Sequence, residues 1–396
     1  MPVLEDLPDP AGRAVLVRAD LNVPLSADAR RVADDFRIRA ALPTMAWLLE
    51  RGARLTVCSH LGRPHGRPDP RWSIEPVRAR LSELLGPDRA PSVRLMENLR
   101  FDPGEEANDP AFVDRLVAGQ DLYVDDAFGA AHRAHASIVG PPERLPSAGG
   151  RLLVREAEVL GGLLAAPARP FVAVLGGAKV SEKLGLLRSL LDRVDRLLVG
   201  GGMCFTFLAA EGHDVGDSLM EPEQVDGCRS LLEQGRKVVV PEDIVAFRPE
   251  PGPPLGAPPG EVRVVGRDVP AGWKGMDIGP ESAARFAEEI ARAATVFWNG
   301  PMGVFEDERF AAGTASVAEA VAACPGFTVV GGGDSAAALA GLGLEQAVDH
   351  LSTGGGASLE LLEQGDLPGL AALRASAASR ASSAVPSARG GPGGER

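Results

Sequence analysis

Lysine is scarce in this chain. Four lysines stand among 396 residues, with arginine supplying the rest of the 41 basic side chains. Each lysine position therefore carries weight, and Lys179 and Lys183 lie four residues apart. Cysteine is equally sparse. Cys58, Cys204, Cys228 and Cys324 form no CxxC pair, so neither a zinc site nor a disulfide framework is expected, and reduced, buried thiols of a cytoplasmic protein are. Long apolar runs are missing too. Glycine, proline or charge interrupts each one well short of the ~18 residues that a membrane span needs. The acidic opening Met1 to Pro10 has no apolar core of a secretory signal. The net charge is −13, which argues against a general basic surface for nucleic acid. No repeat at a solenoid period is visible. Two nucleotide signatures are also lacking. No lysine follows a glycine, which excludes Walker A, and no GxGxxG follows a strand-like run, which argues against a standard dinucleotide domain.

What is present is an α/β rhythm. Apolar residues make up 45% and charged residues 24%, ordinary for a globular protein, and the length suggests two or three domains, two being the simpler count. Short apolar runs read as buried strands at Val15 to Val17, Leu55 to Cys58, Val93 to Met96 and Leu122 to Val124, and again at Phe171 to Leu175, Arg196 to Val199, Val238 to Val240, Thr295 to Trp298 and Phe327 to Val330. Between them, Phe36 to Arg51, Pro76 to Leu85, Leu184 to Leu191, Gln224 to Gln234, Ser282 to Ala293 and Thr314 to Ala323 read as amphipathic helices. Such alternation builds βαβ units and parallel sheets. The expected fold is α/β, with two doubly wound parallel-sheet, Rossmann-like lobes joined by a hinge helix at Arg151 to Ala165. The expected boundaries are 1–165, 166–370 and 371–396. Arg248 to Gly260, rich in proline and glycine, reads as a surface loop. After about Ser376 the Ala, Ser, Gly, Pro and Arg composition lacks an apolar face and reads as a disordered tail.

Three glycine-rich segments fall at strand-to-helix turns: Gly176-Gly177-Ala178-Lys179, Gly200-Gly201-Gly202 and Gly331-Gly332-Gly333-Asp334-Ser335. Ligands of open α/β sheets bind at the carboxyl ends of strands. A glycine turn entering a helix offers free N–H groups and the positive end of the dipole to phosphate. Lys179 and Lys183, read as i and i+4 on one helix face, reach phosphate oxygens. Asp334 is the natural Mg²⁺ ligand beside a nucleotide. The first half carries a different set: Arg18, Asp20, Asn22, Arg37, His60, Arg63, Arg100, His132, Arg133 and His135 at or after strand ends. Arginines converging on one sheet edge suit a small, multiply anionic ligand.

The motifs in order are Arg18-Ala-Asp-Leu-Asn-Val-Pro24, Ser59-His-Leu-Gly-Arg-Pro64, Glu97-Asn-Leu-Arg-Phe101, Asp125-Asp-Ala-Phe-Gly129 with His132-Arg-Ala-His135, and Gly176-Gly-Ala-Lys-Val-Ser-Glu-Lys183. Gly200-Gly-Gly-Met203, Asp277-Ile-Gly-Pro280, Trp298-Asn-Gly-Pro-Met-Gly-Val-Phe-Glu306, Gly331-Gly-Gly-Asp-Ser335 and Ser352-Thr-Gly-Gly-Gly-Ala-Ser358 follow. This ordered set, covering roughly residues 10 to 372, resembles the phosphoglycerate kinase family. The resemblance implies a two-lobed cytoplasmic monomer that transfers a phosphoryl group reversibly between 1,3-bisphosphoglycerate and MgADP, giving 3-phosphoglycerate and MgATP. It implies no nucleic acid or membrane partner. It places Asp20, Leu21, Asn22, Arg37, His60, Leu61, Gly62, Arg63, Arg100 and Arg133 at substrate positions. It places Lys179, Lys183, Gly202, Gly275, Asn299, Glu306, Gly332, Gly333, Asp334 and Ser335 at nucleotide positions, with Asp334 on Mg²⁺ and Glu306 near the ribose. Arg37, Lys179 and Gly333 fall at the transferring group. Lobe closure is implied, with the Arg151 to Ala165 helix and the loops Asp277 to Pro280 and Ser352 to Ser358 as hinges.

The chain departs from the family pattern at Ala130, Cys204, His65, Arg67 and Leu361 to Pro368, none of them a position assigned to phosphoryl transfer. Three rival readings remain on the residues: a catalytically silent relative, an acyl-phosphate kinase for another carboxylate, and a dinucleotide-dependent oxidoreductase. The intact Arg37, Lys179, Lys183 and Asp334 weigh against the first, and the missing GxGxxG against the third.

Overall fold

A computed structural model of the protein describes residues 1–234, 237–250 and 260–383. Contacts divide the chain into two units. One is Met1–Glu158 together with the segment from Asp366, and the other is Val159–Gly365.

In the first unit, β1 (Ala14–Ala19), β2 (Arg54–Cys58), β3 (Val93–Leu95), β4 (Leu122–Asp126) and β5 (Ser147–Gly149) form one sheet in the order β3-β2-β1-β4-β5. Every pair is parallel. Val17 is opposite Val57 on one side and Val124 on the other. These strands are apolar because both faces are covered. Ile38, Ala41, Met45 and Leu48 of the helix Phe36–Glu50, with Val77 and Leu81 of the helix Glu75–Arg89, close the core over them. Parallel strands bring the loops after β1, β2, β3 and β4 to one edge of the sheet.

The second unit is built on β6 (Phe171–Leu175), β7 (Arg196–Val199), β8 (Val238–Val239), β9 (Ile244–Pro249), β10 (Gly260–Val265), β11 (Lys274–Ile278), β12 (Thr295–Asn299), β13 (Phe327–Gly331) and β14 (His350–Leu351). Six of them make a parallel sheet in the order β14-β13-β12-β6-β7-β8. Strands β10, β9 and β11 form a separate antiparallel sheet. Trp298, Val174, Phe286 and Val317 share the core of this unit. Among the described residues, no helix is long and apolar enough to cross a membrane.

Three expectations change. The stretch expected as a loop begins and ends in strand: Arg248 and Pro249 complete β9 and Gly260 opens β10, while residues 251–259 lie outside the described residues. The expected boundary at 165/166 moves into the helix Arg151–Ala165, where contacts change unit between Glu158 and Val159. The helix Pro368–Ser383 runs past Ser376 into the first residues of the stretch expected as a disordered tail, and it packs with the first unit. Leu370 and Leu373 are buried there, the Gly369 N–H donates to the Ala131 carbonyl at 2.9 Å, and the Ser376 hydroxyl donates to the Pro142 carbonyl. Alanine-rich sequence favours helix, and a buried stripe of small residues carries little apolar signal. Residues 384–396 of the expected tail lie outside the described residues.

Candidate active site

The first unit gathers its polar residues after the carboxyl ends of its strands. Asp20 and Asn22 follow β1, and Arg37 opens the helix Phe36–Glu50. Arg37 Nη1 donates to Asp20 Oδ2 at 2.9 Å and to the Asn22 carbonyl at 3.2 Å. Asn22 Oδ1 accepts from the Gly62 N–H at 2.8 Å, and the Gly62 carbonyl accepts from Arg100 Nη1 at 2.9 Å. Five of the assigned substrate residues are thus joined directly. Leu21 and Leu61 lie near them with their side chains in the core, which leaves only their backbone toward a ligand. Arg63 and Arg133 are exposed, and neither forms an ion pair among the described residues.

His60 is buried, and its Nδ1 lies 3.1 Å from Arg18 Nη2. Burial, with Arg18, Arg100 and Arg37 nearby, holds its imidazole well below the ordinary histidine range. Burial and the same kind of cationic neighbours push His135 down to about 4. Both rings are neutral at neutral pH, which sets them up as hydrogen-bonding groups rather than charges.

Three supporting residues, Arg18, Ser137 and Glu105, do not belong to the assigned set. Arg18, buried in β1, also donates from Nε to Ser137 Oγ at 2.8 Å. The Ser137 hydroxyl and N–H donate in turn to the fully buried Glu105 carboxylate at 2.6 and 2.9 Å. Arg18 was visible as a charge inside an apolar run. Glu105, in an acidic stretch after Pro103, had no such signal.

In the second unit, Lys179 and Lys183 do not share a helix face. The helix begins at Leu184, and residues 176–183 are turns and bends. The glycines let that loop turn back over the strand ends instead of winding into a helix. Gly201 lies at φ +65°, and a Cβ there would meet the Gly177 nitrogen at 2.6 Å, so the two glycine turns touch backbone to backbone. The two lysines consequently part company. Lys183 Nζ is turned inward and donates to the Gly176 carbonyl and to Asn299 Oδ1, both at 2.6 Å. Burial pushes its pKa down to about 8, with Asp334 and Glu182 opposing. Lys179 is exposed and makes no hydrogen bond or ion pair among the described residues.

Asn299 also donates from Nδ2 to the Gly331 carbonyl at 2.7 Å, and the buried Ser335 accepts the Gly300 N–H at 2.6 Å. Both side chains therefore tie β12 to the turn after β13. Gly332 forms that turn, and Gly333 and Asp334 open the helix Gly333–Leu342, both exposed.

A cavity of about 660 Å³ joins Gly202, Gly275, Glu306 and Asp334 of the assigned nucleotide residues. Phe205, Leu219, Met276 and Val304 give it apolar walls, and Asp277 lies at its polar floor. Sequence reading missed these apolar residues, because nothing in an isolated Leu219 or Val304 separates a ring platform from ordinary surface. Asp277 is held up at about 7 by burial, although it accepts N–H groups of Gly313 and Ile278 at 2.7 and 2.9 Å.

Among the described residues, no group of three or more His, Cys, Asp or Glu side chains is placed to hold a metal ion. Asp334 is a single exposed carboxylate lining the cavity. That fits Mg²⁺ brought in with a nucleotide, since Mg²⁺ takes one or two carboxylates and completes its shell with phosphate oxygens and water.

Both units carry cations and glycine turns at the carboxyl ends of their parallel strands, an arrangement suited to anions. Phosphoryl transfer asks mainly this of a protein, and the class is that of α/β phosphotransferases. Known proteins narrow it. A sequence profile described as phosphoglycerate kinase matches residues 4–365. The phosphoglycerate kinase of Salinispora arenicola is 56% identical over 390 residues, which cover 91% of this chain and 96% of that protein. That of Frankia casuarinae is 55% identical over 405 residues, covering 94% and 100%. Among solved structures, phosphoglycerate kinase from Coxiella burnetii superposes with a TM-score of 0.83 at 37% identity, covering 94% of this chain and 98% of the other. The chain belongs to the phosphoglycerate kinase family.

Proposed function

We propose that the first unit binds 3-phosphoglycerate or 1,3-bisphosphoglycerate and the second binds MgADP or MgATP. The reaction is that of the family: reversible phosphoryl transfer between 1,3-bisphosphoglycerate and ADP, giving 3-phosphoglycerate and ATP. The enzyme is a glycolytic phosphotransferase with a carboxyl acceptor. One observation carries the division of labour. Each unit keeps exposed cations without partners at the carboxyl ends of its parallel strands, Arg63 and Arg133 in the first and Lys179 in the second.

The nucleophile is a carboxylate in one direction and a phosphate oxygen in the other, so it needs no general base. Catalysis then rests on position and positive charge. Arg37 is oriented by Asp20 and Asn22 and stays charged throughout. Lys179 is a point charge on a free, flexible stem. The Gly333 N–H, at the helix start, faces the same need for a donor at the transferring group. His60 supplies a hydrogen bond to the glycerate. Asp334 holds Mg²⁺, which offsets nucleotide phosphate charge when bound. Glu306 serves a ribose hydroxyl, and Asn299, Ser335 and Lys183 keep the glycine turns in shape. Closure of the lobes about the helix Arg151–Ala165 and the loops Asp277 to Pro280 and Ser352 to Ser358 excludes water from transfer. The enzyme works on these substrates as a cytoplasmic monomer, with no nucleic acid or membrane partner.

The test is steady-state turnover of 3-phosphoglycerate with MgATP, coupled to reduction of the bisphosphate product. Arg37→Ala and Lys179→Ala are expected to lower kcat by about 10²-fold or more. Turnover retained in both variants would remove the charge-clamp mechanism, and no turnover in a folded wild type would remove the activity.

A further inference from the structure

The helix Arg151–Ala165 carries the chain from one unit into the other. The N–H groups of a first helical turn have no partner inside the helix. Here three of them find one in distant parts of the first unit. The Arg151 N–H donates to Thr44 Oγ1 at 2.8 Å, and those of Leu152 and Leu153 donate to Asp126 Oδ1 at 2.9 and 3.3 Å. Both acceptors have no solvent exposure. The fit leaves no slack, because a Cβ on Gly150 would come within 2.2 Å of Asp126 Oδ1.

Thr44 shares a helix with one assigned substrate arginine, and Asp126 ends the strand before another. Arg37 opens the helix Phe36–Glu50, and Thr44 lies seven residues on, two turns along the same face. Asp126 ends β4, and Arg133 lies in the loop that follows. A ligand that draws in Arg37 and Arg133 therefore pulls on both supports of the connecting helix. Pro43, just before Thr44, lacks the N–H that would bond one turn back, so this helix bends most easily between the arginine and the threonine.

We infer that Thr44 and Asp126 are positioning residues that carry occupancy of the glycerate site to the first turn of the connecting helix. The inference rests on the phosphoglycerate reading of the first unit. A cap alone would change stability and leave the balance of kcat and KM untouched. A transmitting residue leaves ligand affinity in place and slows the step that follows binding. A reporter is built in, because the Arg151 guanidinium stands over the Trp47 ring, 5.6 Å from its centre.

The experiment uses the full chain with Thr44→Val, Thr44→Ser and Asp126→Asn. Three quantities are read: calorimetric affinity for 3-phosphoglycerate, kcat with MgATP, and the Trp47 fluorescence change on adding 3-phosphoglycerate, taken as wild type minus Trp47→Phe. Thr44→Val is expected to bind 3-phosphoglycerate within about twofold of wild type, to lose most of the Trp47 change and to lower kcat about tenfold (on the order of 1.4 kcal/mol). Thr44→Ser restores both. Asp126→Asn repeats the split and decides the matter if Thr44→Val does not fold. Wild-type kcat in folded Thr44→Val and Asp126→Asn overturns the inference, as does a Trp47 signal indifferent to bound 3-phosphoglycerate. A wild type that does not bind 3-phosphoglycerate overturns the underlying reading instead, and the calorimetry alone shows it.

Discussion

The Nη2 of Arg18 lies 3.1 Å from Nδ1 of His60. A guanidinium only donates, so Nδ1 accepts and the ring proton of neutral His60 sits on Nε2. Burial and the cations Arg18, Arg100 and Arg37 all favour that neutral form. The folded pKa lies below the unfolded one, so the folded state resists protonation. The stability tied to neutral His60 is complete above pH ~6.5 and is lost as pH falls below that value. Nitrogen NMR of the ligand-free enzyme is expected to show His60 as the Nε2–H tautomer from pH 8 down through the ordinary histidine pKa of about 6.5. Arg18→Met frees Nδ1 and is expected to move the pKa up toward the ordinary value. It also removes the donor to Ser137 Oγ, through which Arg18 reaches the buried Glu105 carboxylate, and is expected to destabilise the first unit by about 1–3 kcal/mol. A protonated Nδ1 in the wild type would refute the assigned donor role.

Lys183 acts on the second unit as Arg18 does on the first. Its ammonium bonds the Gly176 carbonyl and Asn299 Oδ1, and so joins the carboxyl ends of β6 and β12. Lys183→Met keeps the stem and removes the charge. Two oxygens lose their donor, and the stability of this unit is expected to fall by about 2–4 kcal/mol. The pH dependence has a defined sign. The folded pKa of about 8 lies below the usual lysine value, so the folded state holds fewer protons than the unfolded state between the two. Stability from this group therefore rises with pH through that window. Denaturant melts of the two proteins between pH 7.5 and 10 test this. A difference in stability that shrinks with rising pH would contradict the placement of Lys183 as a desolvated ammonium.

The parallel sheets were legible because most of their strands are built on short apolar runs and their turns are punctuated. Phe171–Leu175 ends at Gly176 and Arg196–Val199 at Gly200, and the structure keeps those bounds. The antiparallel sheet was not legible. In β10, Glu261, Val262, Arg263 and Val264 are all exposed, so no alternation marks the strand, and the proline-rich run beside it dominates the local reading. Strands β5 and β14 (Ser-Ala-Gly and His-Leu) carry no β-branched residue, unlike the equally short β3 and β8, which contain valine. At the site, residues tied to a motif after a strand were readable one by one. The conformation between them was not, as the two lysines show: spacing alone cannot distinguish a helical turn from a glycine loop that starts the helix at Leu184. The buried supports Glu105, Ser137, Thr44 and Asp126 act through partners far away in sequence, and no local pattern encodes that.

Gly275 and Gly333 separate packing from chemistry. A Cβ on Gly275 would lie 2.0 and 2.3 Å from ring carbons of Phe205, which is itself buried and has little room to withdraw. Gly275→Ala is expected to destabilise the protein by about 1–3 kcal/mol and to narrow the cavity, raising the nucleotide KM. Gly333 is different. A Cβ there meets nothing within 4 Å, and alanine in place of glycine in a helix is worth about 0.5–1 kcal/mol. Gly333→Ala is therefore expected to keep or slightly raise Tm. If the transferring group approaches this backbone N–H, the added methyl shields it, and kcat falls about tenfold or more while the protein stays folded. The two variants are compared by thermal melts and by steady-state kinetics in MgATP. Loss of kcat without loss of Tm at Gly333 would set that helix start beside the reaction. Unchanged kcat would reduce Gly333 to a turn residue and leave phosphate contact to Lys179 and the neighbouring glycine turns.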